Sequence, residues 1–337
     1  MKKLIQESLD QTCPIQKCPY CKSKMIIRKG KRKIKQDKIQ IYQCKTCKKY
    51  FSENKLKHKS YKPNIILNSI TTFNLGNTIK ETNKIINHRF KIKVPESTIH
   101  FWIKNYSDIC TFSRLRKKYK INPKELIKSK KFYHKQVYEH KFHTLKLNIA
   151  AKRFPNLRKY IINIQNKCPN YLFKNKQSIR CSNINSNIKL KISEFQKLTK
   201  ENNALKLCKL ALCLAKKNNE RHQKVEEFML INDSATVAVE VPVFLFKKEL
   251  ENFNLKGLSD MNQTITGHID IIQVRYNKIY VLDYKPQIEK EKNATIQVFL
   301  YTLALSKRTN INLENFVCGW FNDKYYYEFS PLDIINN

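Results

Sequence analysis

Three residues toward the end of the chain have the types and spacing to share one reaction. Asp270 lies in the stretch TGHID, and Asp283 and Lys285 lie in YVLDYKP, thirteen residues on. Two carboxylates and a lysine brought to adjacent strand ends suit metal-dependent hydrolysis of a phosphodiester. The carboxylates offer hard oxygen ligands to Mg²⁺, and the lysine stabilises charge on the attacked phosphate or orients the water. Residues two apart in a strand face the same side, so Asp283 and Lys285 project together, and an antiparallel neighbour can set Asp270 opposite them. The plainer reading of each carboxylate is a strand-end charge beside a turn, and a lone D-x-K is common.

The surrounding pattern predicts the elements that position these residues. Apolar, β-rich runs at 236–246, 265–275 and 278–284 read as strands, a helix fits 290–307, and short strands fit 315–321 and 325–329. A long helix over 204–231, with a break expected near Asn218-Asn219, carries His222 and, one turn later on the same face, Glu226. The helix after the third strand carries Gln297 and Tyr301 in QVFLY, one turn apart. Glu240, in VAVEVPV, reads equally as an inward carboxylate near the site or as an edge-strand charge.

The order helix, three strands, helix, strand over 201–335 resembles the RecB-like branch of the PD-(D/E)XK nuclease superfamily. Asp270 matches the first strand aspartate of that group, Asp283 and Lys285 its D/E-x-K, and Gln297 and Tyr301 its Q-x-x-x-Y helix signature. His222 matches the upstream histidine that these enzymes use as a further metal ligand. The resemblance implies catalytic roles for Asp270, Asp283, Lys285, Gln297 and Tyr301. It implies Mg²⁺ or Mn²⁺ held by His222, Asp270, Asp283 and the Tyr284 carbonyl, with Lys285 positioning or deprotonating the water. Gln297 and Tyr301 are then expected to hold the nucleic-acid strand. Some relatives carry an iron–sulfur cluster, but only Cys318 follows the motif and Cys208 and Cys213 sit on a helix, so none is expected.

Charge points to a polyanion. The 337-residue chain carries a formal net charge of +39, unevenly spread. Residues 1–160 hold 41 Lys/Arg against 9 Asp/Glu, and residues 161–337 hold 25 against 18. A front half that basic has nucleic acid as its default partner. A membrane is the other polyanion, but no amphipathic anchor, lipidation motif or run of about 18 apolar residues supports it. The start, MKKLIQESLDQ, lacks the apolar core of a signal peptide, so a cytoplasmic, nucleoid-associated protein is expected. Eleven cysteines in a reducing compartment then argue for metal ligation where they cluster and free thiols elsewhere.

They cluster as Cys18-Pro-Tyr-Cys21 and Cys44-Lys-Thr-Cys47. Two such knuckles close a tetrahedral Zn²⁺ site with Zn–S of about 2.3 Å, against the blander reading of four free or redox-active thiols. Cys13 is read as a bystander. The context IYQCKTCKKYF, with Tyr42 before the second knuckle and Phe51 after it, resembles the zinc ribbon at the front of insertion-sequence transposases. That resemblance implies a structural zinc and a β-ribbon contacting DNA.

Residues 73–106 have helix-turn-helix character. Asn77 or Thr78 can cap a helix whose Ile79, Ile85 and Ile86 form a buried stripe. Pro95-Glu96-Ser97 starts a second helix with Ile99, Trp102 and Ile103 inward. That helix would offer Ser97, Thr98, His100 and Lys104 to DNA. The alternative is a small helical bundle with surface lysines.

The expected whole is a multidomain α+β protein. It has a zinc ribbon at 12–52, a helix-turn-helix region at 60–120, a helical and loop connector at 121–200 with an Asn/Ser/Lys-rich stretch at 163–187, and a PD-(D/E)XK nuclease-like α/β core with a mixed sheet at 201–335. The expected function is a metal-dependent DNA nuclease recruited by its front half, with a mobile-element or defence setting by analogy. The second hypothesis is a non-catalytic DNA-binding regulator with a degenerate nuclease fold. A DDE transposase is disfavoured by the D-x-K and Q-x-x-x-Y pattern. A homodimer is left open.

Overall fold

The computed structural model describes residues 17–34, 37–52, 61–184, 196–198, 202–250, 263–288 and 293–335. Cys13, residues 185–187 of the Asn/Ser/Lys-rich stretch and residues 290–292 of the expected helix lie outside them. The chain divides into two units, residues 1–67 and 68–337.

The first unit holds a three-stranded antiparallel meander of β1 (Ile26–Ile34), β2 (Asp37–Cys44) and β3 (Tyr50–Ser52). Its apolar content is small. Tyr42 and Phe51 face each other in register and stack with ring centroids 5.8 Å apart. Cys18 and Cys44 complete this cluster. A core this slight is the kind that a bound metal ordinarily reinforces.

Helix α1 (Pro63–Asn74) crosses the division between the units, and α2 (Ile79–Phe90), α3 (Glu96–Asn105) and the short α4 (Phe112–Leu115) follow. Thr78 rather than Asn77 caps α2. Its Oγ1 accepts from Glu81 N at 3.2 Å and Glu81 Oε2 accepts from Thr78 N at 2.7 Å, a reciprocal box worth about 1 kcal/mol. The buried face of α2 differs from the expected stripe. Thr82 and Ile86 are buried, Ile79 is half-buried and Ile85 is exposed. The 100° step per residue puts positions 82 and 86 on one line and turns 85 away. On α3, Ile99, Trp102 and Ile103 are inward, while Ser97, His100 and Lys104 are exposed and Thr98 is half-buried.

The segment 121–200, expected as helices and loop, instead also supplies strands. A hairpin of β4 (Ile127–Tyr133) and β5 (Val137–His143) precedes α5 (Thr144–Ala150), α6 (Pro155–Lys167), α7 (Asn170–Lys174), β6 (Ile179–Arg180) and β7 (Gln196–Leu198). Its many lysines hid the period-2 pattern, because β4 lies at the sheet edge and buries little beyond Phe132. Then come α8 (Asn203–Ala211), α9 (Arg221–Asn232), β8 (Thr236–Leu245), α10 (Lys247–Leu250), β9 (Ile265–Arg275), β10 (Lys278–Tyr284), α11 (Ala294–Thr309), β11 (Phe316–Phe321), β12 (Tyr326–Phe329) and α12 (Leu332–Ile335). The helical stretch expected over 204–231 with a break near Asn218-Asn219 is two helices, α8 and α9, and Asn218-Asn219 lie in the 3₁₀ turn that leads into α9.

Among the described residues these strands form one mixed sheet in the order β4-β5-β8-β9-β10-β11-β12-β7, with β6 beside the start of β9. Neighbours are antiparallel except β10–β11 and β6–β9, which are parallel. The central strands β8, β9 and β10 are buried almost throughout, which explains their continuous apolar runs. Helix α11 packs on β8, β9, β10 and β11 with Phe299, Leu300 and Leu303 in the core. Helix α9 packs on β8 and is tied to the N-terminal helices by buried amides: Asn74 Nδ2 donates to Asn232 Oδ1 (2.9 Å), and Asn232 Nδ2 to Thr71 Oγ1 (3.0 Å). No helix among the described residues is long and apolar enough to cross a membrane.

Candidate active site

A two-residue turn sets the register on which the site depends. Tyr276 and Asn277 both have positive φ (50° and 59°), the hairpin turn whose twist matches that of its strands. Lys278 therefore faces Arg275 and Leu282 faces Ile271, and Asp283 arrives at the level of Asp270. There the two strands part. The Tyr284 amide donates to Asp270 Oδ2 at 2.8 Å instead of to the ladder, while β10 keeps pairing with β11 through Tyr284 and Phe321. On the other side of β9, the pairs Val239–Ile271 and Val241–Ile269 bracket Glu240 across from Asp270. Three carboxylates thus lie in a row across β8, β9 and β10. Glu240 belongs to a central strand, so the edge-strand reading of it falls.

Helix α9 adds His222 and Glu226, four residues apart. His222 Nε2 lies 2.9 Å from Asp270 Oδ2 and 3.0 Å from Glu226 Oε1. Helix α11 adds Gln297 and Tyr301. Gln297 Nε2 donates to Asp283 Oδ1 (3.0 Å) and to Tyr301 Oη (2.9 Å), and Gln297 Oε1 accepts from Lys285 Nζ (2.9 Å). Lys285 Nζ also lies 2.9 Å from Asp283 Oδ2. Lysine can only donate, so it orients the Gln297 amide, and that amide then locks Asp283 and Tyr301.

Gln297 and Tyr301 are almost wholly buried and hydrogen-bonded to one another and to the Asp283–Lys285 pair, an arrangement that can hold that pair in place. Gly267 makes this arrangement fit: a Cβ there would lie 2.2 Å from Tyr301 Cε1. The glycine of TGHID is required by a ring packed against the strand, a role not legible without the helix.

All these groups line one cavity of about 650 Å³. The β4–β5 hairpin forms another wall, with Lys131, Tyr138 and Lys141, and Arg180 follows from β6. His268 also lines it, stacked on Tyr138 with centroids 3.6 Å apart and bonded through Nε2 to His134 Nδ1 at 2.9 Å. Sequence reasoning did not reach this wall.

The electrostatics are those of crowded acids out of water. Burial, then the Asp270 charge, push the Asp283 carboxyl up to about 7 against the pull of Lys285. Burial pushes Glu226 up to about 7, and burial with the Glu226 and Asp270 charges holds Glu240 well above the usual carboxylate range. Asp270 goes the other way. Burial opposes its charge, but His222, Lys285 and the Tyr284 amide outweigh it and lower the pKa. His222 responds in kind: burial disfavours the imidazolium, yet Asp270 and Glu226 raise its pKa well above the ordinary value. Carboxylate oxygens with one imidazole form a hard donor set that fits Mg²⁺ or Mn²⁺, and Glu240 Oε2 is buried with no hydrogen-bond partner.

In the first unit, Cys18, Cys21, Cys44 and Cys47 lie together, their sulfurs within 4.8 Å of one another, and could bind a metal such as zinc. Cys18 Sγ is 3.6 Å from Cys47 Sγ, and Cys21 Sγ is 3.5 Å from Cys44 Sγ. Each knuckle ends on a lysine in the left-handed region, Lys22 (φ 63°) and Lys48 (φ 58°), which curls the chain around its sulfurs. Amides point at them: Cys47 N donates to Cys44 Sγ (3.5 Å) and Tyr20 N to Cys18 Sγ (3.4 Å). Led by the Cys47 amide, these surroundings lower the Cys44 pKa to about 6, favouring the thiolate that ligates metal.

No family model matches the chain, and no curated protein or solved structure matches it either.

Proposed function

We propose that the chain is a metal-dependent DNA nuclease whose core from residue 201 is of the PD-(D/E)XK type, RecB-like branch. The observation that carries this reading is the convergence of Asp270, Asp283, Lys285, His222 and Gln297, from two strands and two helices, on one cavity. Residues scattered over some eighty positions would not meet so by the bland reading of each.

Asp270 and Asp283, with His222 and the Tyr284 carbonyl, would hold Mg²⁺ or Mn²⁺, which when bound polarises the phosphate and lowers the pKa of water. The chain's own residues do the rest. Lys285, pinned by Asp283 and Gln297, presents its ammonium beside the carboxylates, where it stabilises charge developing on phosphate oxygens and orients the attacking water. Gln297 and Tyr301 hold Asp283 in place. Lys131 on the cavity wall and the exposed Lys128 and Lys130 beside it supply positive charge along the approach for a phosphate backbone.

In this reading the cysteine unit is a zinc ribbon, and α2 and α3 are a helix-turn-helix with Ser97, Thr98, His100 and Lys104 toward DNA. Together they recruit DNA, in a mobile-element or defence setting by analogy. The test is cleavage of linear and closed-circular DNA with Mg²⁺ by the wild type, Asp283→Ala and Lys285→Ala. Cutting by the wild type, with equal binding and at least about 10²-fold slower cutting by the variants, is expected. DNA binding without cutting by any of the three favours the regulator instead, and equal cutting by all three sinks the assignment.

A further inference from the structure

We propose that Arg180 holds a second phosphate of the bound strand, one linkage along from the phosphate at Asp270 and Lys285. This deepens the nuclease reading and rests on it.

The sheet opens a place for that phosphate. Strand β8 occupies one edge of β9 from Ile265 to Gln273, so β10 and β6 share the other. There β10 pairs along Ile271–Arg275, and β6 pairs at Ile265 and Thr266. Between them the edge from Gly267 to Asp270 has no strand beside it among the described residues. The end of β10 delivers Asp283 and Lys285 to one end of this gap, and β6 delivers Arg180, level with Thr266, to the other. Asp270 and Thr266 are four positions apart, about 13 Å along the strand. Lys285 and Arg180 thus reach the same cavity from opposite ends of the gap.

Charge singles out Arg180 among the cations that line the cavity. Lys141 is held by Glu139 (2.9 Å) and Glu227 (2.7 Å), Lys285 by Asp283 (2.9 Å), and His222 by Asp270 and Glu226. Lys131 is exposed on the edge hairpin. Arg180 is half-buried and has no carboxylate at ion-pair distance among the described residues. Its Nη2 donates to Tyr138 Oη. A guanidinium carries five N–H donors in a planar fork, and those not given to Tyr138 suit two oxygens of a phosphate.

Arg180 is also held in place. Tyr138 Oη, which accepts from it, donates to Gln136 Oε1 at 3.1 Å. The Tyr138 ring stacks on His268 with centroids 3.6 Å apart, and His268 is bonded through His134 to Asn170. Burial raises the Tyr138 pKa against Arg180, with Glu240 and Asp270 adding to it, so the hydroxyl stays neutral and keeps both bonds. A fork fixed in advance loses less freedom when it grips a phosphate. The competing account makes Arg180 a structural prop for the hairpin wall.

The experiment titrates the full-length chain, in Mg²⁺, with thymidine 3′,5′-bisphosphate and with the 3′- and 5′-monophosphates by calorimetry. The bisphosphate puts a phosphate on each side of one nucleoside and has no diester to cut, so binding is read without turnover. The wild type is expected to bind it at least about 10-fold more tightly than either monophosphate. Arg180→Gln should lose that advantage, and Arg180→Lys should keep part of it, because lysine retains the charge without the fork. A mere prop would lower melting in Arg180→Gln and leave the ratio unchanged. If Arg180→Gln does not fold, Tyr138→Phe takes its place: it keeps the ring stack, and the advantage should fall about fivefold. No bisphosphate binding by the wild type, or the same ratio in wild type and variant, overturns the proposal. An Arg180-dependent ratio in a chain that cuts no DNA fails only the nuclease reading, and cutting with an Arg180-independent ratio fails only this one.

Discussion

Asp270 accepts the backbone amide of Tyr284 at 2.8 Å, at the point where β9 and β10 stop pairing. A side chain on one strand thereby replaces the ladder bond that the other strand loses. Asp270 and Asp283 can thus share a level while the strands open to form the cavity between them. The same bond helps to keep Asp270 ionised in a buried place.

The Gly267–Tyr301 contact is the tightest constraint in the site. Gly267→Ala puts a methyl 2.2 Å from the Tyr301 ring, and the ring must move with the helix that carries it. A loss of about 1–3 kcal/mol in urea unfolding is expected, together with slower cleavage. Tyr301→Phe keeps the ring and loses only its hydrogen bond to Gln297, so a cost near 1 kcal/mol is expected. Equal stability of wild type and Gly267→Ala would contradict this packing.

One zinc per chain is expected by elemental analysis, lost on substitution of Cys44 by serine. Acidification should release it, because protons compete with metal for the thiolates. Amide exchange in 26–52 should accelerate in that variant while the sheet of the second unit stays protected. Unchanged exchange would mean that the ribbon folds without metal.

Lys146 is buried and donates to the backbone carbonyls of Asp233 (2.7 Å) and Leu230. Burial pushes its pKa down to about 7, partly offset by Asp233. The unfolded chain keeps its lysine proton up to about pH 10.4, so between about 7 and 10 it binds more protons than the folded chain. This lysine's contribution to stability should therefore rise with pH across that window and be flat below it. Lys146→Met should abolish that slope, read as the difference between wild-type and variant unfolding free energies at pH 7 and 9.

The hairpin wall should make DNA binding salt-dependent. Replacing Lys128, Lys130 and Lys131 with glutamine is expected to reduce the slope of log affinity against log salt by up to about 3. An unchanged slope would leave these lysines as solubility charges on an edge strand.

Much of the C-terminal core could be read from the chain. The apolar runs at β8, β9 and β10 are buried on both faces, so their pattern survives without context. The i, i+4 pairs His222–Glu226 and Gln297–Tyr301 follow from helical period alone. The hairpin β4–β5 was missed because an edge strand of lysines buries too little to show a pattern, and Ile85 was misplaced because an isoleucine on α2 faces outward while Thr82 is buried. Glu240 could not be assigned, since a glutamate in an apolar run has the same sequence signature at an edge or at a centre.

By itself the sequence determined which chemical groups are present, the strand and helix periods that carry them, and the two-residue gap between the apolar runs at 265–275 and 278–284. Only the tertiary structure decided that Glu240 stands beside Asp270, that Gln297 and Tyr301 are hydrogen-bonded to each other and to the Asp283–Lys285 pair, and that Lys131 and Tyr138 wall the cavity. Local spacing is set by backbone geometry, which the chain carries everywhere along its length. Which distant groups share a buried, low-dielectric cavity depends on sheet order and helix docking, and these are fixed by the packing of the whole core.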